Sequence, residues 1–245
     1  MCGRRMVKTL FLKSMIRFVF LSMAFAVLTA CATKINTADL RSIKQNIDSD
    51  TKQILLVADD RFLSFAPGKV YALEKSFFSW RQAMEPFDAV IGRNGFAPQN
   101  EKREGDGRTP SGVYRLGTAF GYSESINSKM PYRQALPDDF WVDDPNAPDY
   151  NRWVKQSETR AASFETMRRS DSLYKYGIVI EYNTDPVIQG RGSAIFMHVW
   201  RGPGSSTAGC VAVSEPDILR ILSWLDPVAH PVMVINPKPF QEKDP

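Results

Sequence analysis

Beyond residue 50 the apolar positions of this 245-residue chain fall in short runs bounded by turn residues rather than at helical spacing. ILLVADD, from Ile54, reads as a buried strand ended by acids. FDAVIGRNG, from Phe87, is a short strand followed by an Asn-Gly turn. VYRLGTAFGY, GIVIEYN, AIFMHVW and PVMVIN supply further strands. In AIFMHVW, period two places Phe196, His198 and Trp200 on one face and Ile195, Met197 and Val199 on the other. KVYALEKSFFSWRQAM begins as a strand and continues as a helix-like stretch with aromatics on one side. ASFETMRRSDSLYKY reads as a short helix ending near Gly177. After Cys210, VAVS extends briefly. Ser214 with Asp217 three residues on then marks a helix N-cap, and Ile218, Ile221, Leu222 and Leu225 line one face. The pattern predicts a mainly β domain with a few helices over residues 51–240, with no internal repeat.

Two stretches carry no period. Residues 97–112, APQNEKREGDGRTPSG, are loop by composition, with Gly105, Gly107, Pro110 and Gly112 as breakers. Residues 123–160 are rich in Pro, Asp, Asn and aromatics, including Tyr132, Phe140, Trp141, Tyr150 and Trp153. An unpatterned segment of that length inside a domain is expected to be functional. It reads as an insertion on the substrate side of a site; the competing reading is a surface excursion with a small core of its own.

The first 30 residues differ from the rest. Arg4, Arg5, Lys8, Lys13 and Arg17 precede the apolar run FVFLSMAFAV, with no acid among them. This order predicts a secretory signal peptide, and the apolar part is short for a membrane span. Leu28-Thr29-Ala30-Cys31 resembles a bacterial lipobox, which implies lipidation of Cys31, a tether over 31–50 and attachment to a membrane without spanning it. An uncleaved N-terminal anchor is the alternative. Ala32 after the cysteine resembles the outer-membrane class of lipoproteins, so the expected place is the periplasmic side of the cell envelope. Removing the five basic residues of the leader from 31 leaves 26 against 27 acids, a net charge of −1. Nothing basic remains to suggest nucleic acid.

The three cysteines then resolve themselves. Cys2 leaves with the leader, Cys31 would carry lipid, and Cys210 stays alone. A solitary cysteine outside the cytoplasm is either an inert buried side chain or a reactive thiol. Its place between Gly209 and Val211, after the polar loop RGPGSST, favours the thiol. His198, one of two histidines in the chain, stands twelve positions before it. A base and a thiol on neighbouring segments make a candidate nucleophile pair.

HVWRGPGSSTAGCVAV resembles the signature of the L,D-transpeptidases of the YkuD-like fold: a histidine, a loop, then Ser or Thr, any residue, Gly and Cys. Here these are His198, Thr207, Ala208, Gly209 and Cys210. GDGRTPSGVYRLG is similar to the Gly-rich turn of the same family, and the resemblance covers roughly Gln53 to Asn236. It implies a β-sandwich or barrel-like catalytic domain that acts on peptidoglycan stem peptides. Cys210 would attack the carbonyl before the terminal D-alanine and pass the acyl group from a thioester to an amine. With water as acceptor the same site would be an L,D-carboxypeptidase. The resemblance also implies that the Val199 carbonyl orients His198 and that N–H groups around Gly209 and Cys210 hold the oxyanion. Thr207 and Ser206 would orient the loop or touch substrate. Ala212 stands where many members carry Arg, so a substrate carboxylate would fall to Arg108, Arg191 or Arg201. Such a pair is expected to hold thiolate, with Cys210 alkylating at a pH well below that of an ordinary thiol and His198→Ala abolishing this.

Other readings are weaker. A papain-like peptidase places its cysteine before its histidine, the reverse of this order. A wall-binding lipoprotein that does no chemistry would not need both His198 and Cys210. His230, between a helix end and a strand, reads as a surface histidine. Glu165, Asp171 and the pairs Asp138-Asp139 and Asp143-Asp144 read as solvated loop charges rather than a carboxylate dyad. One candidate cysteine and two histidines, without CxxC or HExxH, predict no metal and no cofactor.

Overall fold

The computed structural model of the chain describes residues 43, 45–59, 67–77 and 79–237. The leader 1–30, Cys31, residues 32–42 of the tether and the tail from 238 lie outside them, so the expected signal peptide and lipid attachment do too. Among the described residues no helix is long and apolar enough to cross a membrane.

The described strands are β1 (Gln53–Asp59), β2 (Gly68–Lys75), β3 (Trp80–Gln82), β4 (Phe87–Val90), β5 (Phe96–Ala97), β6 (Thr109–Pro110), β7 (Gly112–Gly121), β8 (Tyr132–Gln134), β9 (Asp139–Val142), β10 (Trp153–Lys155), β11 (Phe164–Thr166), β12 (Tyr176–Ile180), β13 (Phe196–Val199), β14 (Val211–Val213) and β15 (Val232–Ile235). The helix α1 (Glu215–Trp224) lies between the last two. Hydrogen-bonded neighbours run β1-β15-β7-β12-β13-β14-β4-β2, and β2 pairs back onto β1. Closing the sheet in this way leaves no unpaired edge along the ring, the arrangement of a small barrel. The mainly β, barrel-like class read from the sequence is therefore what the chain adopts. Most pairs are antiparallel, but β13 and β14 run parallel, with His198 opposite Ala212.

The two predicted helices before Gly177 do not form. Trp80–Gln82 pairs with β2, Leu73 opposite Gln82, after a turn in which the Ser76 N–H donates to the Ser79 carbonyl. Phe164–Thr166 pairs with β9, and the residues that follow are turns. There Asp171 accepts the Leu173 N–H, the local side-chain bonding by which Ser and Asp compete with helix. In both cases a strand ladder decided the conformation, a local hairpin for the first and a more distant pairing for the second. The predicted α1 does form: the Ser214 side chain accepts the Asp217 N–H, and Ile218, Ile221 and Leu222 are buried.

The period-two reading of the strand through His198 separates two cores. Met197 and Val199 join Leu55, Val57, Val211, Val213, Met233 and the apolar face of α1 in one cluster. Phe196 on the opposite face joins Phe120, Trp141, Met167, Tyr174, Val179 and Cys210 in a second. The 123–160 stretch has structure of its own: β9 is the middle strand of a three-stranded sheet, β10-β9-β11. It packs on the face that bears His198 and Cys210, with Trp141 edge-on to Phe196 at 4.9 Å between ring centroids.

Gly177 sits opposite His198 on β12 and opposite Phe120 on β7. A Cβ there would lie 2.4 Å from the Phe120 ring, so glycine is what lets that ring cross beneath the second core. Gly177→Ala should destabilise the domain by about 1–3 kcal/mol through overpacking, read as a lower urea midpoint with an unchanged slope. A midpoint equal to wild type would show that the ring yields freely.

Candidate active site

The parallel register of β13 and β14 sets Phe196, His198, Cys210 and Ala212 on one face of the barrel wall. His198 and Cys210 line one cavity of about 470 Å³, and both are largely buried, at 6% and 7% exposure. The connection between them is short for a parallel pair and is tied down by Thr207. The Thr207 N–H donates to the Ile91 carbonyl at 2.9 Å and its own carbonyl accepts the Arg93 N–H at 2.9 Å. Its hydroxyl donates to the Cys210 carbonyl at 2.7 Å and accepts the Gly209 N–H at 3.1 Å.

The ring nitrogen Nδ1 of His198 lies 2.8 Å from the Val199 carbonyl. A carbonyl can only accept, so Nδ1 carries the proton and Nε2 is the basic nitrogen of the neutral ring. The Tyr174 ring stands edge-on to the imidazole at 5.2 Å, and the Arg169 guanidinium lies over that tyrosine at 5.2 Å. Arg169 is held by both oxygens of Asp171, at 2.9 and 3.0 Å, and contacts Glu165 at 3.3 Å. The thiol donates to the Ala194 carbonyl at 3.2 Å and accepts the Phe196 N–H at 3.4 Å. Asn151 anchors that corner, its side-chain oxygen accepting from Ala194 N–H at 3.1 Å and from the Trp141 indole at 2.8 Å.

Electrostatics separate this pair from the expected ion pair. Burial pushes the Cys210 thiol up to about 12; the Phe196 N–H, Lys102 and Arg169 work against that shift, and Glu165 adds to it. Burial holds the His198 imidazole down to about 4, although the Val199 and Leu173 carbonyls favour its charged form. At rest both groups are neutral. The expectation of a pre-formed thiolate fails because each charged form would lose its hydration in the layer between the two sheets.

The YkuD family model, described as the L,D-transpeptidase catalytic domain, matches residues 65–234. The chain belongs to the YkuD family. Among curated proteins nothing matches it. Of solved structures, it is similar to the crystal structure of the helical cell shape determining protein Pgp2 from Campylobacter jejuni, at 14% identity over 80% of this chain and 54% of that one, with a TM-score of 0.40. A mutant of the same protein matches at 15% identity over 80% of this chain and 52% of that one, again with a TM-score of 0.40. The chain spans about half the length of these structures.

Within this YkuD domain the remaining sequence-predicted residues divide. Ser206 and Arg201 line the cavity, with Arg201 65% exposed and 3.7 Å from Asp171. Arg108 is not among the lining residues, and its N–H donates to Asp106. Arg191 donates to the Asn100 carbonyl instead of entering the site. The Gly209 N–H is engaged by Thr207 and is not a free oxyanion donor. His230 is exposed at the end of a 3-10 turn, 3.4 Å from Asp50.

The acids read as solvated are the larger correction. Asp139 is buried and paired with Arg133 and Lys155. Asp143 and Glu165 line the cavity, with one Asp143 oxygen buried and without a hydrogen-bond partner. Burial raises both carboxyls above their ordinary range. The sequence reading also missed Lys102, Glu104, Arg169 and Tyr174, which line the same cavity. The alternating charges of EKREGDGR were the one available signal for the first two. Among the described residues no three His, Cys, Asp or Glu side chains gather as metal ligands.

Two outcomes follow for solution measurements. Iodoacetamide alkylation of Cys210 should keep accelerating above pH 10 with no plateau near neutrality, and His198→Ala should leave that profile in place; a neutral plateau removed by His198→Ala would mean a resting ion pair. Stability should also fall on acidification. The unfolded imidazole takes up a proton below about 6.5 and the folded one only below about 4, so this window favours the unfolded chain, by up to about 3 kcal/mol. Urea titrations at several pH values should show that slope in wild type and its loss in His198→Gln.

Proposed function

We propose that this domain is a cysteine L,D-transpeptidase acting on peptidoglycan stem peptides, held through Cys31 at the periplasmic side of the outer membrane. The observation that carries the reaction is one cavity lined by a solitary thiol and an imidazole whose Nδ1 is fixed on the Val199 carbonyl. The family match supports the substrate class. Cys210 Sγ attacks the carbonyl that joins the third residue, a diamino acid such as meso-diaminopimelate, to the terminal D-alanine. Its proton passes to His198 Nε2 as the sulfur–carbon bond forms. When the adduct collapses, the carbon–nitrogen bond breaks and Nε2 returns the proton to the D-alanine amine. An amine acceptor then resolves the thioester, or water does so in the carboxypeptidase version.

A neutral thiol and a neutral imidazole lining one cavity are a suitable starting state for this route, because proton transfer accompanies attack rather than preceding it. The cavity wall offers both charges, Lys102 and Arg169 against Asp143 and Glu165, as a peptide bearing amines and carboxylates requires. Incubating the domain with disaccharide-tetrapeptide and following D-alanine by mass spectrometry should show release by wild type and none by Cys210→Ala. Equal behaviour of the two would end the enzymatic reading and leave a wall-binding protein. The same spectra distinguish a crosslinked product from a tripeptide.

A further inference from the structure

The loop 97–112, set aside in the sequence as turn and breaker residues, contributes a cation to the cavity. Lys102 is 3% exposed and lines the cavity with Cys210 and His198. Its ammonium donates to the Arg103 carbonyl at 2.7 Å and to Asp106 Oδ1 at 2.8 Å. An ammonium has three donors, so one is left beyond these two bonds. The stem runs past two glycines: an added Cβ would fall 3.2 Å from Nζ at Gly192 and 3.6 Å from Cε at Gly209. Gly209 immediately precedes the nucleophile, so the stem passes within contact distance of that backbone, and a side chain at Gly192 would crowd its path. Asp106 is itself fixed, accepting the N–H groups of Arg103 at 2.9 Å and Arg108 at 2.8 Å.

We propose that Lys102 is a catalytic residue of this site, whose ammonium stabilises the negative charge that develops on the sulfur and then on the substrate oxygen when Cys210 attacks. The inference rests on the acyl-transfer reading of the cavity. The Gly209 N–H is held by Thr207 and Ala212 stands where many members of the family carry Arg, so Lys102 is, with Arg169, among the cations of the cavity wall that can serve the nucleophile. In the step itself the thiol proton goes to His198 Nε2, the sulfur–carbon bond forms, and the carbonyl π electrons move onto oxygen. Lys102 keeps its proton throughout and donates a hydrogen bond to that oxygen until the carbon–nitrogen bond breaks. The favourable effect of Lys102 on the charged form of Cys210 is in accord with this arrangement.

The alternative is that Lys102 only pins the loop through Asp106. Lys102→Met removes the charge but leaves Asp106 unpaired, so the deciding variant is the double Lys102→Met/Asp106→Asn, which removes both charges. Iodoacetamide alkylation at pH 9 reads the thiolate without any turnover, and D-alanine release from tetrapeptide reads the reaction; near-ultraviolet circular dichroism reads the fold. Both variants should alkylate roughly tenfold more slowly than wild type, as loss of one pKa unit of thiolate stabilisation implies. Their kcat should fall about a hundredfold with KM little changed, the usual cost of losing one oxyanion donor. A double variant that alkylates and turns over like wild type overturns the proposal, and so does one that fails to fold. Turnover by wild type with no effect of Lys102 sinks this inference alone. The alkylation gap without turnover in wild type supports the charge coupling and sinks the acyl-transfer reading instead.

Discussion

The parallel pairing of β13 with β14 is the constraint on which the site depends. Two adjacent parallel strands need a connection that runs back along their length, and such connections are usually a dozen residues or more and often helical. Here it is the loop from Trp200 to Cys210, too short to hold a helix. Its path is fixed instead by Thr207, which bonds to both neighbours of Gly92 and to the Gly209–Cys210 backbone. The register that results puts His198 opposite Ala212 rather than opposite a bulky side chain. On the other flank His198 stands opposite Gly177, so both of its cross-strand neighbours are small.

A second layer makes the chemistry possible. The sheet of β9, β10 and β11 covers part of the outer face of β13 through Trp141, and Tyr174 covers the imidazole. Packing Trp141 and Tyr174 on Phe196 dries that face and drives both groups neutral. Burying two ionisable groups is tolerable here because each has a polar partner: the imidazole its Val199 carbonyl, the thiol its Ala194 carbonyl. Asn151 links the two requirements, since the same side chain holds the Trp141 indole of the covering sheet and the Ala194 amide beside the thiol.

What was legible in the sequence was what is local. His198 and Cys210 lie twelve positions apart, and alternation along one strand was enough to give the imidazole its face. The Ser214 cap and the apolar stripe of α1 are likewise contained within one helix. Glu165 was misread for the opposite reason. Its conformation is set by pairing with Trp141, more than twenty residues away, so a stretch with helix-like spacing became a strand that brings its acid into the cavity. Asp143 looked like half of a solvated acidic pair, because nothing in its neighbours announces the layer that covers it. Trp80–Gln82 instead folds back on the end of β2 as a local hairpin, a turn across residues 76–79 that the aromatic spacing did not announce.

The resting state also bears on how the thiol meets reagents other than a substrate. Oxidants, disulfides and alkylating agents react with thiolate, and a thiol whose ionisation burial opposes holds less of it at pH 7 than an ordinary cysteine does. A catalytic pair stored as thiolate and imidazolium would be exposed to those reactions continuously. In the proposed reaction a pair held as two buried neutral groups becomes nucleophilic only when a carbonyl is in place to take the electrons and the imidazole can take the proton in the same step. Burial thus does two things at once in this fold: it silences the sulfur in the absence of substrate, and it strengthens every charge that the cavity wall presents once bond making begins.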